Sequence, residues 1–253
     1  MAVSERVTTA VLIIGDEILS GRTQDTNLSA IARYLAPFGV DVAEARVVGD
    51  VKAEIVGALN ALRAVCDYVI TTGGIGPTHD DITAECVAAA FGVPLEEHPD
   101  IIALMTERWS GDLNAARRRM ARIPHDGTLV RNPVQGPPGF QIGNVFVLAG
   151  VPAIMRGMLE DVGPRLRTGA VVVSRTVRVE GLPESAIAAP LEARARAHPG
   201  LSLGSYPFFG EGGYGANLVV RGRDAAEVKA TAADLMAGLA DIGAAAIILA
   251  PET

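Results

Sequence analysis

The sequence predicts an α/β fold: a mostly parallel sheet with helices on both faces, followed by a small α+β domain. Three observations point there. Apolar runs of strand length alternate with segments whose apolar residues recur at helical spacing. Glycine-rich turns follow three of those runs, where an open parallel sheet would gather a ligand. From about residue 169 the order changes to strand, helix, strand, strand, helix, strand, the pattern of a split βαβ domain.

Taken in order, TTAVLIIG reads as a strand buried on both faces, and DTNLSAIARYLAPFG sets Leu28, Ile31, Ala32 and Leu35 at helical spacing. VDVAEARVV is a second strand. DVKAEIVGALNALRAV is a second helix, with Asp50 at its N-cap and Ile55, Leu59 and Leu62 on one face. DYVITT is a third strand, and a helix from about Asp81 to Phe91 follows it. Such alternation requires parallel strands joined by right-handed crossovers. Between Pro94 and Gly143 the periodicity weakens. PDIIALMTERWSG and NAARRRMAR read as helices and NPVQGPPGF as a turn-rich connection, so this stretch is expected to be a long loop forming a site wall or lid. NVFVLAGVP restores a strand and turn, and AIMRGMLEDVGPRL supplies the next helix. A boundary near Thr168 and Gly169 divides the chain into 1–168 and 169–253. The second part runs AVVVSRTVRVEG, PESAIAAPLEARARAH, LSLGSYP, ANLVVRG, DAAEVKATAADLMAGLADIG and AAAIILA.

With 253 residues, 49% hydrophobic and 20% charged, the chain can bury a full core. Lys plus Arg total 22 against 29 Asp plus Glu, a formal net charge of -7, which disfavours a nucleic acid partner. A small anion stays open, because backbone amides bind one without net positive charge. Cys66 and Cys86 lie in apolar neighbourhoods without paired metal-binding spacing, so buried, reduced thiols in a cytoplasmic protein are expected. The first apolar run is too short, and too soon broken by Asp16 and Glu17, for a leader or a membrane anchor.

The chemistry concentrates at three strand ends, GDEILSG, TTGGIGPTHDD and AGVP. Gly73, Gly74 and Gly76, with Ile75 between them, allow backbone N–H groups to approach an anion just before a helix starts, so TGGIGPT is read as a phosphate cradle or as a tight turn. It is neither a Walker loop nor a dinucleotide fingerprint. Asp80 and Asp81 beside it, with Asp16 and Glu17 expected nearby, shift the balance. A divalent cation reconciles these carboxylates with phosphate oxygens, so Asp16, Glu17, Asp80 and Asp81 are the candidate metal ligands. The alternative is that Asp80 or Asp81 caps the next helix. His79 is a candidate acid or ligand, or a hydrogen-bonding turn residue. Thr78 offers a hydroxyl to substrate or suits the turn. Asn27 binds a ligand or caps its helix, the cap being the safer reading. Asn132, in NPVQGPPGF, faces a ligand or serves structure alone. RRRMAR reads as a solvated face. GSYPFFGEGGYGANL, Gly204 to Leu218, gathers aromatics to stack on a flat ring or, the favoured reading, to fill the small domain's core.

GDEILSG, DTN, VVGD, TTGGIGPTHDDIT, NPV…PGF and GVP…M occur in the order seen in the competence/damage-inducible protein A family, which this chain resembles from about Ala10 to Leu166. The amino-terminal part of that family is a molybdopterin-binding-like MoaB/Mog domain, and the small domain is similar to the matching segment of eukaryotic FAD synthase. NPVQGPPGF departs from the family's usual NPVGTAPGF. The nicotinamide-nucleotide amidohydrolase domain of the longer members has no counterpart in these residues, so deamidase activity is not expected of them. The resemblance implies a metal-dependent pyrophosphatase acting on ADP-ribose or a related dinucleotide such as FAD. It implies Mg, Mn or Co as cofactor, with potassium in some members, and a homo-oligomer, taken as a dimer. The alternative it carries is a non-catalytic module binding molybdopterin or a nucleotide. By motif position, the two aspartates needed in Mog-type relatives fall on Asp50 and Asp81.

Overall fold

A computed structural model describes residues 6–109, 113–210 and 213–249. The first five residues, weighed above for a leader, lie outside the described residues, as do the end of PDIIALMTERWSG, Glu211 and Gly212 of the aromatic segment, and the last residue of AAAIILA. The chain divides into two compact units, Met1–Ala170 and Val171–Thr253, two residues beyond the boundary read from sequence.

The first unit is built on a six-stranded sheet. In chain order it comprises β1 (Val7–Ile14), α1 (Asp16–Leu19), α2 (Asn27–Leu35), β2 (Val40–Val48), α3 (Lys52–Arg63), β3 (Tyr68–Thr72), α4 (Thr83–Phe91), β4 (Leu95–Glu97), α5 (Pro99–Arg108), α6 (Ala115–Arg119), β5 (Arg122–Pro124), β6 (Thr128–Val130), β7 (Gly139–Ile142), β8 (Val145–Leu148) and α7 (Pro152–Val162). The sheet order is β2-β1-β3-β8-β7-β6, with the first four strands parallel and β7 and β6 added antiparallel. β1 shows why both faces must be covered. Ala10, Leu12 and Ile14 enter a core completed by α3, α4 and α5, while Val7, Val11 and Ile13 enter another completed by α2 and α7.

The structure corrects the expected long loop between Pro94 and Gly143. That stretch contains β4 paired with β5, and β6 and β7, which extend the main sheet. Three- and four-residue strands carry too little alternation to be separated from turns by periodicity. The helix expected from Asp81 begins at Thr83.

The second unit comprises β9 (Val173–Glu180), α8 (Glu184–Ala197), β10 (Ser202–Gly210), β11 (Gly213–Gly222), α9 (Ala225–Ala240) and β12 (Ala246–Ile248). Its antiparallel sheet has the order β10-β11-β9-β12, as the βαββαβ pattern requires. Its core is aliphatic, with Val177, Val179, Leu218 and Val220 packed against Ile187, Val228, Leu235 and Leu239. The aromatic segment does not fill that core. Tyr206, Phe209 and Tyr214 are exposed, and the Arg178 guanidinium lies 3.8 Å from the Phe208 ring centre.

Cys66 and Cys86 are buried free thiols, and burial, with the Glu85 charge adding, pushes Cys86 up to about 11. Among the described residues no helix is long and apolar enough to cross a membrane.

Phe146, fully buried in β8 between β3 and β7, tests the packing of the main sheet. Phe146→Ala is expected to lower stability by about 3–5 kcal/mol in urea unfolding. Val65→Ala, at a position 73% exposed, is expected to change it by no more than about 0.5 kcal/mol.

Candidate functional site

The candidate site lies at the carboxyl ends of β1, β2, β3 and β8. β1 and β2 are each followed by Gly-Asp, and the register that sets Ile14 beside Val48 brings the two dipeptides level. A reciprocal pair results. The Asp16 N–H donates to Asp50 Oδ2 at 3.0 Å, and the Asp50 N–H donates to Asp16 Oδ1 at 3.3 Å. The flanking glycines give the carboxylates room: a Cβ on Gly49 would stand 2.5 Å from Asp16 Oδ1, and one on Gly15 would stand 2.3 Å from the Glu17 carboxylate. Asp50 therefore does not cap α3, whose N-cap is Val51 with no side-chain cap bond.

Burial raises the Asp50 carboxyl above its ordinary value, and the negative fields of Asp16, Glu17 and Asp80 raise it further, against the Asp16 N–H, which favours the charged form. Acids that follow β1 and β3 thus act on Asp50, which follows β2. Among the described residues, no three acidic, histidine or cysteine side chains already enclose a point where a metal ion would sit. The donor chemistry nonetheless fits a hard cation: carboxylates converge, and Asp16 and Asp50 each keep one oxygen outside their mutual bonds.

The glycine-rich loop is pinned from two sides. Gly73 has φ +107°, and a Cβ there would stand 2.1 Å from the Ile14 carbonyl oxygen. The Thr83 N–H donates to the Gly74 carbonyl at 3.0 Å, and the Thr83 hydroxyl to the Gly73 carbonyl at 2.9 Å. The loop is thus locked to β1 and to the first turn of α4. The N–H groups of Gly74, Ile75 and Gly76 meet no acceptor among the described residues, the arrangement an anion cradle needs.

Asp81 is engaged within its own loop. Its Oδ2 accepts from the Thr78 N–H at 2.8 Å and from the Thr78 hydroxyl, closing the loop on itself and engaging both Thr78 donors. A Cβ on Gly76 would stand 2.6 Å from that oxygen. Neither Asp80 nor Asp81 caps α4, whose N-cap is Ile82. His79 is 95% exposed and only approaches Asp80, at 3.7 Å, a contact worth little in water.

Asp81 instead lines a narrow cleft with Gly74, Gly76, Arg119 and Arg122. These two arginines belong to the run read as a solvated face. Arg117 lies over Trp109 and Arg118 pairs with Glu97, whereas Arg119 donates to the His79 carbonyl at 3.5 Å and acts through its charge on Asp80 and Glu85, and the buried Arg122 Nε meets no acceptor among the described residues. The available signal was three consecutive arginines in an acidic chain. Their direction depends on β4 and β5, which periodicity does not show.

On another flank, Asn27 is 5% exposed and its Nδ2 donates to the Gly150 carbonyl at 2.7 Å. It does not cap α2, whose N-cap is Thr26; Asp25, one residue earlier, accepts from the N–H groups of Asn27 and Leu28 at 3.2 and 3.1 Å. Asn132 is also buried, and its amide serves its own loop. Nδ2 donates to the Gln135 and Pro137 carbonyls, and Oδ1 accepts from the Val134 N–H. Arg108 holds the same loop through the Val134 and Gly136 carbonyls.

The sign of the Asp50 shift makes a testable statement. A carboxyl raised on folding stabilises fully below its unfolded value of 3.8, and that contribution is lost as pH rises through the folded value. Asp50→Asn keeps the acceptor for Asp16 and removes the charge. Urea unfolding is expected to show the variant more stable than the parent at neutral pH, with the advantage vanishing as the pH falls below about 4.

Comparison with known proteins agrees with this architecture. A family model described as the probable molybdopterin binding domain matches residues 10–168, and one described as the FAD synthase middle domain matches residues 171–245. A CinA-like protein of Gemmatimonas aurantiaca is 35% identical over 212 residues, covering 78% of this chain and 50% of the relative. A CinA-like protein of Citrifermentans bemidjiense is 42% identical over 193 residues, covering 72% and 47%. The chain thus spans about half the length of these curated relatives. The crystal structure of the protein CinA, of unknown function, from Thermoplasma acidophilum superposes with a TM-score of 0.60 at 34% identity, covering 64% of this chain and 99% of that one. By the extent of the first match, the chain belongs to the family of the probable molybdopterin binding domain.

Proposed function

We propose that the chain hydrolyses the diphosphate linkage of a nucleotide such as ADP-ribose or FAD, assisted by a divalent cation. The carrying observation is the division of charge around one loop. Asp16 and Asp50 exchange hydrogen bonds on one side, where the charges of Asp16, Glu17 and Asp80 act on Asp50, and the unpaired amides lie with Arg119 and Arg122 on the other. A diphosphate is the kind of group that needs both, a cation-bearing face and an anion cradle.

In this reading the N–H groups of Gly74, Ile75 and Gly76 hold a phosphoryl oxygen, and the two guanidiniums neutralise its charge. Asp16, Glu17 and Asp80 would hold Mg, Mn or Co, which when bound polarises the phosphoryl group. Asp50, with one oxygen free beside Asp16, takes the proton of the attacking water. The water oxygen bonds to phosphorus as the bridging P–O bond breaks, giving two phosphate monoesters; for ADP-ribose these are AMP and ribose 5-phosphate. Asp81 shapes the cradle through Thr78 instead of meeting the cation.

A second reading, a module that binds a pterin or nucleotide without turnover, is favoured by the description of the matched family and by the lack of a pre-enclosed three-acid group among the described residues. Chromatography of ADP-ribose and FAD incubated with Mg²⁺, Mn²⁺ or Co²⁺ separates the two. Hydrolysis predicts paired monoesters, a fall of at least about 100-fold in kcat for Asp50→Asn, and a rise of about 10-fold in KM for Arg119→Ala with Arg122→Ala. Binding without product under every cation supports the second reading and rejects the first.

A further inference from the structure

A cleft of about 50 Å³ lies beside the first turn of α2, lined by Glu17, Thr23, Asp25, Asn27, Thr72 and Gly150. Two of its residues carry buried polar atoms without a hydrogen-bond partner among the described residues, Asn27 Oδ1 and Thr72 Oγ1. Both residues are almost wholly buried, at 5% and 1% exposure. Buried polar atoms are ordinarily satisfied, and an orphaned pair in one cleft calls for an explanation.

The orientation of Asn27 is not arbitrary. Gly150 presents a carbonyl oxygen 2.7 Å away, which only the amide nitrogen can satisfy, so the oxygen is the atom left over. The cleft therefore offers an amide oxygen, a threonine hydroxyl and two neighbouring carboxylates, and no Lys or Arg lines it. Such a surface repels phosphate and attracts hydrogen-bond donors. Carboxylate and amide oxygens are the groups that hold sugar hydroxyls in nucleotide sites, and the cleft is too narrow to take in a whole bicyclic base.

We infer that this cleft is a sugar subsite, in which Asn27 Oδ1 and Thr72 Oγ1 bind the ribose hydroxyls of the nucleotide. The inference rests on the nucleotide reading above, but on different atoms: the phosphate cradle is the loop between β3 and α4, whereas the sugar cleft is formed by Asn27 at the start of α2, Thr72 at the end of β3 and Gly150 after β8.

Calorimetry of the full chain with AMP, 2′-deoxy-AMP, 3′-deoxy-AMP and IMP tests it without any turnover. The expected result is a loss of about 10-fold in affinity on removing either hydroxyl, IMP binding as well as AMP, and a reduced penalty in Thr72→Val, which keeps side-chain shape. Asn27 is best probed through the ligand series, because its amide also ties α2 to Gly150. Equal affinities for AMP and both deoxy analogues, selective loss with IMP, or no binding of any of the four would each overturn the sugar assignment. Discrimination among hydroxyls with no hydrolysis of ADP-ribose would leave the subsite standing and remove the hydrolase.

Discussion

The exchange of hydrogen bonds between Asp16 and Asp50 organises everything around it. Each aspartate lies one residue beyond a glycine at the end of a parallel strand, and the pairing of β1 with β2 sets the two level. Two like charges would otherwise turn apart. The N–H of each residue offers the other a donor close enough to offset part of that repulsion, and the glycines leave the space in which the carboxylates sit. What remains is a carboxyl, that of Asp50, which burial first and the negative fields of Asp16, Glu17 and Asp80 after it raise above its ordinary value.

The glycine-rich loop answers with the opposite polarity. Its own aspartate, Asp81, is drawn inward to Thr78, so it rigidifies the turn and leaves the amides of Gly74 to Gly76 without acceptors. Arg119 and Arg122 add positive charge from β5 and the helix before it. Asn27 then fixes the third side by tying α2 to the end of β8. Cation-seeking, anion-seeking and donor-seeking surfaces therefore border one loop, each built from residues the fold has immobilised. The proposed nucleotide, with its phosphates, its sugar and an accompanying cation, is the ligand these three surfaces would serve.

Much of this was legible in the sequence, and the rest was lost for identifiable reasons. The four parallel strands, the βαββαβ unit and the acids at the strand ends follow from periodicity and glycine placement. β6 and β7 were missed because strands of three and four residues lack a readable period. The capping roles given to Asp50 and Asn27 failed because side chains near a helix start also compete for distant partners. Asp50 chose the neighbouring strand, and Asn27 chose Gly150. Arg119 and Arg122 were hidden because no local pattern says which way a basic run points. The repeated Gly-Asp after two successive strands was the one signal of the central pair that a reader could have used.

The central claim is that this pair concentrates negative charge which a cation relieves. Its most direct test is a carboxyl-carbon NMR titration of Asp50, with and without Mg²⁺. The account predicts a midpoint above the ordinary value of 3.8 in the absence of the cation and a clear fall on its addition. A midpoint at the ordinary value, or one that Mg²⁺ leaves unmoved, would contradict it.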